Sequence, residues 1–316
     1  METRWAKDVS PDKPLPEYPR PQMVRKDWQN LNGLWDYAVG AKEQTNASTK
    51  FDGKILVPFP IESALSVVMR MVSETNRIWY RRTFTIPRGW KEKKVLLHFG
   101  AVDWESTVYV NGKKIGTHQG GYDAFSFDIT DALNRKGENE IVVSVWDPTD
   151  AGPQSLGKQI RNPHGIWYTP TSGWQTVWLE PVDALHFTSF KFTSDIDTKL
   201  PGMHDGAILH VHVDLPRVET PLKVRFEVFD GNRRITKNTF IFRNGDFAID
   251  IPHAKLWSPE SPHLYRCKLT LLNGSKKVDE IKSYFAMRKI FLARDDNGRL
   301  RMQLNNTNYF QFCLLD

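Results

Sequence analysis

Apolar and polar residues alternate with a period of two over most of the chain. In 207–215 (AILHVHVDL), Leu209, Val211, Val213 and Leu215 fall on one side, with His210, His212 and Asp214 on the other. The stretch 222–229 sets Leu222, Val224, Phe226 and Val228 against Lys223, Arg225 and Glu227, and 264–272 groups Tyr265, Cys267, Leu269 and Leu271. This is the pattern of strands with one face in a core and the other in water. Asp230-Gly231-Asn232, Asn244-Gly245 and Asn273-Gly274 separate the runs, and these residue types accept the positive φ of tight turns. Short alternating strands punctuated in this way over about a hundred residues predict an immunoglobulin-like β-sandwich.

The earlier part of the chain reads the same way. Residues 106–110 (STVYV) run into Asn111-Gly112 and return from Lys113, which predicts a type I′ hairpin. Residues 95–99 (VLLHF) and 141–146 (IVVSVW) are nearly continuous apolar runs, as expected for strands covered on both faces. Only 61–68 (IESALSVV) admits a short helical turn, and no segment sustains a 3.6-residue period. Strands in such number predict a larger, jelly-roll sandwich. At the end, 290–294 and 299–304 predict one more hairpin around Asp295-Asp296-Asn297-Gly298, and 309–316 the opening of a further strand.

Composition adds a boundary. Ten of the 11 tryptophans precede Val182, and only Trp257 follows, so the character of the core changes there. The net charge of +6 is spread evenly, with 23 basic against 21 acidic residues up to Val182 and 20 against 16 afterwards. No basic stripe exists to hold phosphates, which excludes nucleic acid as a partner. No apolar run approaches the roughly 18 residues needed to cross a bilayer, so no membrane partner is expected. Residues 1–20 carry Pro11, Pro14, Pro16 and Pro19 among charges and no apolar signal core. Either the chain stays in the cytoplasm, the favoured location, or a leader is missing from it. Cys267 and Cys313 stand 46 residues apart and give no metal, redox or disulfide framework.

Several residue groups are candidates for chemistry. Asp103 and Glu105 share a face if 101–107 is a strand, and paired carboxylates suit acid and base work on a glycosidic bond; a structural role at a strand entry is the competing reading. Asn139-Glu140 reads as a solvated turn. His210 and His212 have a chelating spacing, with His204 or Asp214 nearby, but a solvated strand face outweighs zinc, and no metal site or cofactor is expected. Cys267 projects with core residues and reads as an inert thiol. Phosphate-binding loops and nucleophile elbows are absent.

The richest segment is 160–181, where three tryptophans and Tyr168 interleave with amide, imidazole and hydroxyl groups. Aromatic faces beside directional hydrogen-bonding groups suit sugars. Trp167, Tyr168, His164 and Asn162 are therefore the candidate carbohydrate-binding residues; a loop packed on its own domain is the other reading. Within 174–180 the alternation predicts that Trp174 and Trp178 share a core-facing side.

The stretches 30–37 (NLNGLWDY), 79–87 (WYRRTFTIP), 99–130 (FGAVDWESTVYVNGKKIGTHQGGYDAFSFDIT), 163–182 (PHGIWYTPTSGWQTVWLEPV), 256–265 (LWSPESPHLY) and 284–290 (YFAMRKI) resemble glycoside hydrolase family 2, the family of β-galactosidases, β-glucuronidases and β-mannosidases. The resemblance implies an all-β fold: an extension over 1–25, a jelly-roll (galactose-binding-like) sugar-binding domain over 26–182, and an immunoglobulin-like sandwich over 183–288. It makes 289–316 the start of a (β/α)8 barrel. In that family the chemistry belongs to the barrel, through one glutamate as acid/base and another as nucleophile. A barrel needs about 250 residues, and neither glutamate has a counterpart here, so no catalytic residue is expected.

Two departures stand out. Family members usually have one more apolar residue between the positions of Gly173 and Trp174, and losing one residue turns strand side chains over unless a loop absorbs it. Some relatives also lend an Asp or Asn from the loop before this strand, and the stretch near Trp167 and Tyr168 has neither. The expectation is a non-catalytic, weakly carbohydrate-binding part of a family 2 hydrolase. The alternatives are an interaction or scaffold protein that self-associates or binds a separate catalytic barrel, and a fragment of a longer retaining exo-β-glycosidase.

Overall fold

The alternating runs pair as antiparallel strands in the computed structural model, which describes residues 4–47, 49–155, 159–160, 173–197, 206–217 and 221–311. Among them there is no α-helix, only short 3-10 turns such as Ala64–Ser66, where the 61–68 stretch admitted one. The chain divides into two compact units, Met1–Pro19 with Asp27–Val182, and Arg20–Lys26 with Asp183–Asp316.

The first unit holds ten strands: β1 (Gln29–Asn30), β2 (Gly33–Ala41), β3 (Gly53–Val57), β4 (Asn76–Thr85), β5 (Lys94–Phe99), β6 (Glu105–Val110), β7 (Lys113–Gln119), β8 (Phe125–Asp128), β9 (Glu138–Trp146) and β10 (Val177–Val182). They form a six-stranded sheet, β3-β2-β4-β9-β6-β7, and a four-stranded sheet, β1-β10-β5-β8. The inward residues of both sheets share one core, in which Trp174 packs against Tyr80 at 4.6 Å, Trp35 at 5.9 Å and Phe99 at 6.2 Å between ring centroids. Large rings fill a wide sandwich with few side chains, and the Trp35 indole N–H is satisfied by the Leu31 carbonyl at 2.8 Å.

The β6–β7 hairpin has the expected turn. Asn111 and Gly112 have φ of +50° and +76°, the two positive values that a type I′ turn needs. Asn139 corrects its expectation: it is not solvated but 1% exposed, and its side-chain oxygen accepts from Asn111 Nδ2 and the Asn134 amide. Its own Nδ2 donates to the Asn134 carbonyl, so the amide braces the turn from inside.

A second correction concerns Trp174 and Trp178. Both are buried, but they do not share a face. Val177 and Leu179 of β10 point into the core, so Trp178 lies on the opposite side, stacked on His98 at 4.8 Å and donating to Glu180 at 2.9 Å. The regular strand breaks at Gln175 and Thr176, opposite Gly100 and Ala101, and beyond this bend Val102 and Trp174 both return to the core. Gly100 permits the bend, because a Cβ there would lie 2.7 Å from Gln175 Cβ.

The second unit has a three-stranded sheet of β11 (Ser189–Asp195), β12 (Gly206–Asp214) and β15 (Asp246–Pro252), in the order β11-β12-β15. The facing sheet is β14-β13-β16-β17, built from β13 (Leu222–Asp230), β14 (Arg233–Ile241), β16 (Tyr265–Asn273) and β17 (Lys276–Phe285). Its core includes the set read from the alternation, Leu209, Val211, Val213, Leu222, Val224, Phe226, Val228, Tyr265, Cys267, Leu269 and Leu271, except Leu215, which is only half-buried. The segment before the first sandwich contributes here, because Val24 bridges Lys282 and Arg25 forms a buried bidentate pair with Asp279 at 2.8 and 3.2 Å.

A last small sheet joins β18 (Ile290–Arg294), β19 (Leu300–Leu304) and β20 (Thr307–Asn308). Tyr309–Gln311 form no strand, and the rest of the stretch expected to open one, 312–316, lies outside the described residues.

Candidate functional site

Asn162, His164, Trp167 and Tyr168 lie outside the described residues. The chain resumes at Gly173, whose carbonyl accepts the Asp103 amide at 2.8 Å, next to the Val102–Trp174 bridge. Asp103 stands in the connection between β5 and β6, just before β6 begins at Glu105. It is therefore not on a strand face with Glu105, which corrects the paired reading. Glu105 is tied down elsewhere, accepting from Arg77 at 3.2 Å and from Gln119 at 3.0 Å.

Asp103 is half-buried, and its carboxyl oxygens take no hydrogen bond or ion pair among the described residues. Burial, then the nearby charges of Asp147 and Glu62, push its pKa up to about 7. Asp147 is also raised, chiefly by burial, although the Thr149 amide donates to it at 2.7 Å. Asp103 thus holds its proton to near neutral pH in a partly dry environment.

The turn between β7 and β8 closes over this group. A Cβ on Gly121 would lie 2.4 Å from Asp103 Oδ1 and 2.7 Å from its Cγ, so only glycine lets the turn touch the carboxyl. Its neighbour Gly120 has φ of +136°, outside the reach of most side chains, and a Cβ there would meet His118 Nε2 at 3.4 Å. That nitrogen is buried and has no hydrogen-bond partner among the described residues, and the same holds for the hydroxyl of Ser106, which pairs with His118 in the β6–β7 register. The next residue, Tyr122, is 73% exposed. Sequence reasoning missed this turn; its signal was a glycine doublet followed by an aromatic, GGY, inside the 99–130 stretch.

The other candidates resolve differently. His212 lies on the solvent face of β12, its Nδ1 2.7 Å from Asp246 and its Nε2 3.2 Å from Asp214. Those two hydrogen bonds raise its pKa. His210 is 3.9 Å from Asp195, and His204 lies outside the described residues. His210, His212 and Asp246 border a shallow cavity of about 410 Å³ with Lys191 and Thr193. No cluster of three ligating side chains fit for a metal occurs among the described residues. Cys267 is buried, and burial pushes its thiol far up. No described helix is long and apolar enough to cross a membrane.

Tandem β-sandwiches place the chain among proteins built from successive β domains. Residues 44–154 match the sequence model of the glycosyl hydrolases family 2 sugar binding domain, and 185–288 match a second model of glycosyl hydrolases family 2. The chain belongs to glycoside hydrolase family 2.

Its similarities to individual proteins are distant. A putative β-glucuronidase of Formosa agariphila is 27% identical over 216 residues, covering 67% of this chain and 19% of the relative. The β-glucuronidase of Paenibacillus borealis is 22% identical over 272 residues, covering 81% of this chain and 44% of the relative. The solved β-glucuronidase of Ruminococcus gnavus superposes with a TM-score of 0.71 at 20% identity, covering 91% of this chain and 49% of that one. The chain thus spans about half the length of that solved relative and less of the two others.

Proposed function

We propose that these residues are the sugar-binding and scaffold portion of a retaining exo-β-glycosidase, and that they perform no glycosyl transfer themselves. The carrying observation is the family 2 sugar-binding match over 44–154 in a chain spanning 49% of a solved β-glucuronidase. In this reading, residues 1–25 are an extension, 26–182 the carbohydrate-binding jelly roll, 183–288 the supporting immunoglobulin-like sandwich, and 289–316 the start of a catalytic barrel. Trp167 and Tyr168 stack on a pyranose, while His164 and Asn162 hydrogen-bond its hydroxyls. Affinity is weak, because an open hydroxyl-recognising surface gains little once desolvation is counted.

Tryptophan fluorescence tests the binding claim, since ten of the 11 indoles lie before Val182. Saturable quenching by millimolar mono- or oligosaccharides is expected, and its absence rejects the reading. Incubation of the 316-residue chain with nitrophenyl β-glycosides should release no nitrophenol; steady release would reject the non-catalytic assignment.

One observation favours a second reading, an interaction or scaffold role. On one face of the β18–β19 hairpin, Ile290, Leu292, Leu300 and Met302 are 56%, 61%, 60% and 43% exposed. An apolar sheet face of this kind is a surface for another polypeptide. Sedimentation as a monomer at every concentration argues against self-association through it.

A further inference from the structure

The turn over Asp103 offers what a sugar subsite requires. Its carboxyl is partly buried and accepts from no neighbour among the described residues, so its acceptors are open to donors from outside the fold. On the neighbouring strands β6 and β7, the Ser106 hydroxyl and His118 Nε2 are buried and have no hydrogen-bond partner among the described residues. Gly121 keeps the backbone low against the carboxyl, and the residue that follows it carries an aromatic ring 73% exposed to solvent. A ring left in water costs hydrophobic free energy that stacking against an apolar sugar face would recover.

We infer that Asp103 and the Gly120–Gly121–Tyr122 turn form a subsite for a neutral pyranosyl unit, the carboxyl accepting sugar hydroxyls and the Tyr122 ring stacking on the sugar face. This rests on the carbohydrate-binding reading above and adds residues outside the 161–172 stretch. The neutral preference follows from charge. A uronate would bring another carboxylate beside Asp103, whose ionisation its burial and the Asp147 charge already oppose, so a neutral glycoside is favoured.

The test is a titration of the isotopically labelled 316-residue chain at pH 7.5, following backbone amide signals. Methyl β-D-galactoside should shift the Gly120, Gly121 and Tyr122 amides saturably, and methyl β-D-glucuronide should bind about tenfold more weakly. Tyr122→Ala should weaken galactoside binding about tenfold, while Tyr122→Phe, which keeps the ring, retains it. Gly121→Ala, which displaces the Asp103 carboxyl, should abolish the response with the fold intact by amide dispersion.

Saturable binding that leaves these three amides still, or that survives both Tyr122→Ala and Gly121→Ala, overturns the subsite while leaving the chain a sugar binder. Equal affinity for the two glycosides overturns the neutral preference. No saturable shift with either sugar overturns the subsite and the carbohydrate-binding reading together.

Discussion

Asp103 in the first unit and Asp279 in the second are both withdrawn from water, and they are treated in opposite ways. Asp279 is clamped. Both its oxygens face the Arg25 guanidinium, and the backbone amides of Phe187 and Glu280 donate to it at 2.9 Å. Asp103 receives nothing from the described fold, and its pKa rises to about 7. A buried carboxylate whose acceptors are all filled holds structure together; one left empty at a glycine turn is available to a molecule from outside. His212 marks a third situation, an exposed ring with both nitrogens engaged by Asp246 and Asp214. Its chelating spacing in sequence is spent on surface ion pairs.

The sharpest way to break this comparison is to turn Asp279 into an unpaired carboxylate. Arg25→Ala strands it, and breaking a buried pair typically costs about 3–5 kcal/mol. Urea unfolding should show the loss in the second unit although residue 25 precedes the first sandwich. An unchanged midpoint would mean that the pair is not the clamp described.

The converse change removes the charge that Asp103 carries alone. In the fold Asp103 keeps its proton to about pH 7, whereas the ordinary carboxylate value of 3.8 applies when the chain is open. Between those values the folded chain binds more protons, so this group lowers stability as pH rises. Asp103→Asn should therefore stabilise the first unit at pH 8 by about 1–2 kcal/mol, the shift being discounted for a partly solvated group. The gain should shrink as pH falls and vanish below about pH 4. Thermal midpoints of both chains across that range check it, and a constant difference rejects the raised pKa of Asp103.

The smallest effect belongs to the surface triad. The raised pKa of His212 gives stability that is present below its unfolded value and fades as pH rises through the folded one. Because the pair is solvent-screened, His212→Gln should cost no more than about 0.5 kcal/mol at pH 6 and less at pH 8. A loss above this, or a thermal midpoint raised by added zinc, would give the site an importance its exposure denies.

Much of the second sandwich was legible because most of its strands keep one face largely in water. Alternation then names the core directly, and Leu209, Val224 and Leu269 lie where the period placed them. The first sandwich was less legible. Trp178 is buried on the far side of β10, stacked on His98, so burial on both faces hid which way the strand turned. The bend at Gly100 and Gln175 left no periodic trace, and the parity of Trp174 could not be read through it.

The candidate site divides along the same line. Asp103 stood out by residue type, but its pairing with Glu105 assumed a strand that begins only at Glu105. Gly121 carried no chemistry of its own, and its contact with the carboxyl depends on a hairpin folding back across 18 residues.

The sequence by itself determined the all-β class, the turn at Asn111-Gly112 and the aliphatic core of the second sandwich, because these depend on local φ preferences and on which face of one strand is apolar. Only the tertiary structure decided which carboxylate is filled and which is left open, which tryptophan lies inside, and which glycine touches Asp103. Those properties depend on the distance between groups far apart in the chain, and alternation along a strand carries no information about what will be packed against it.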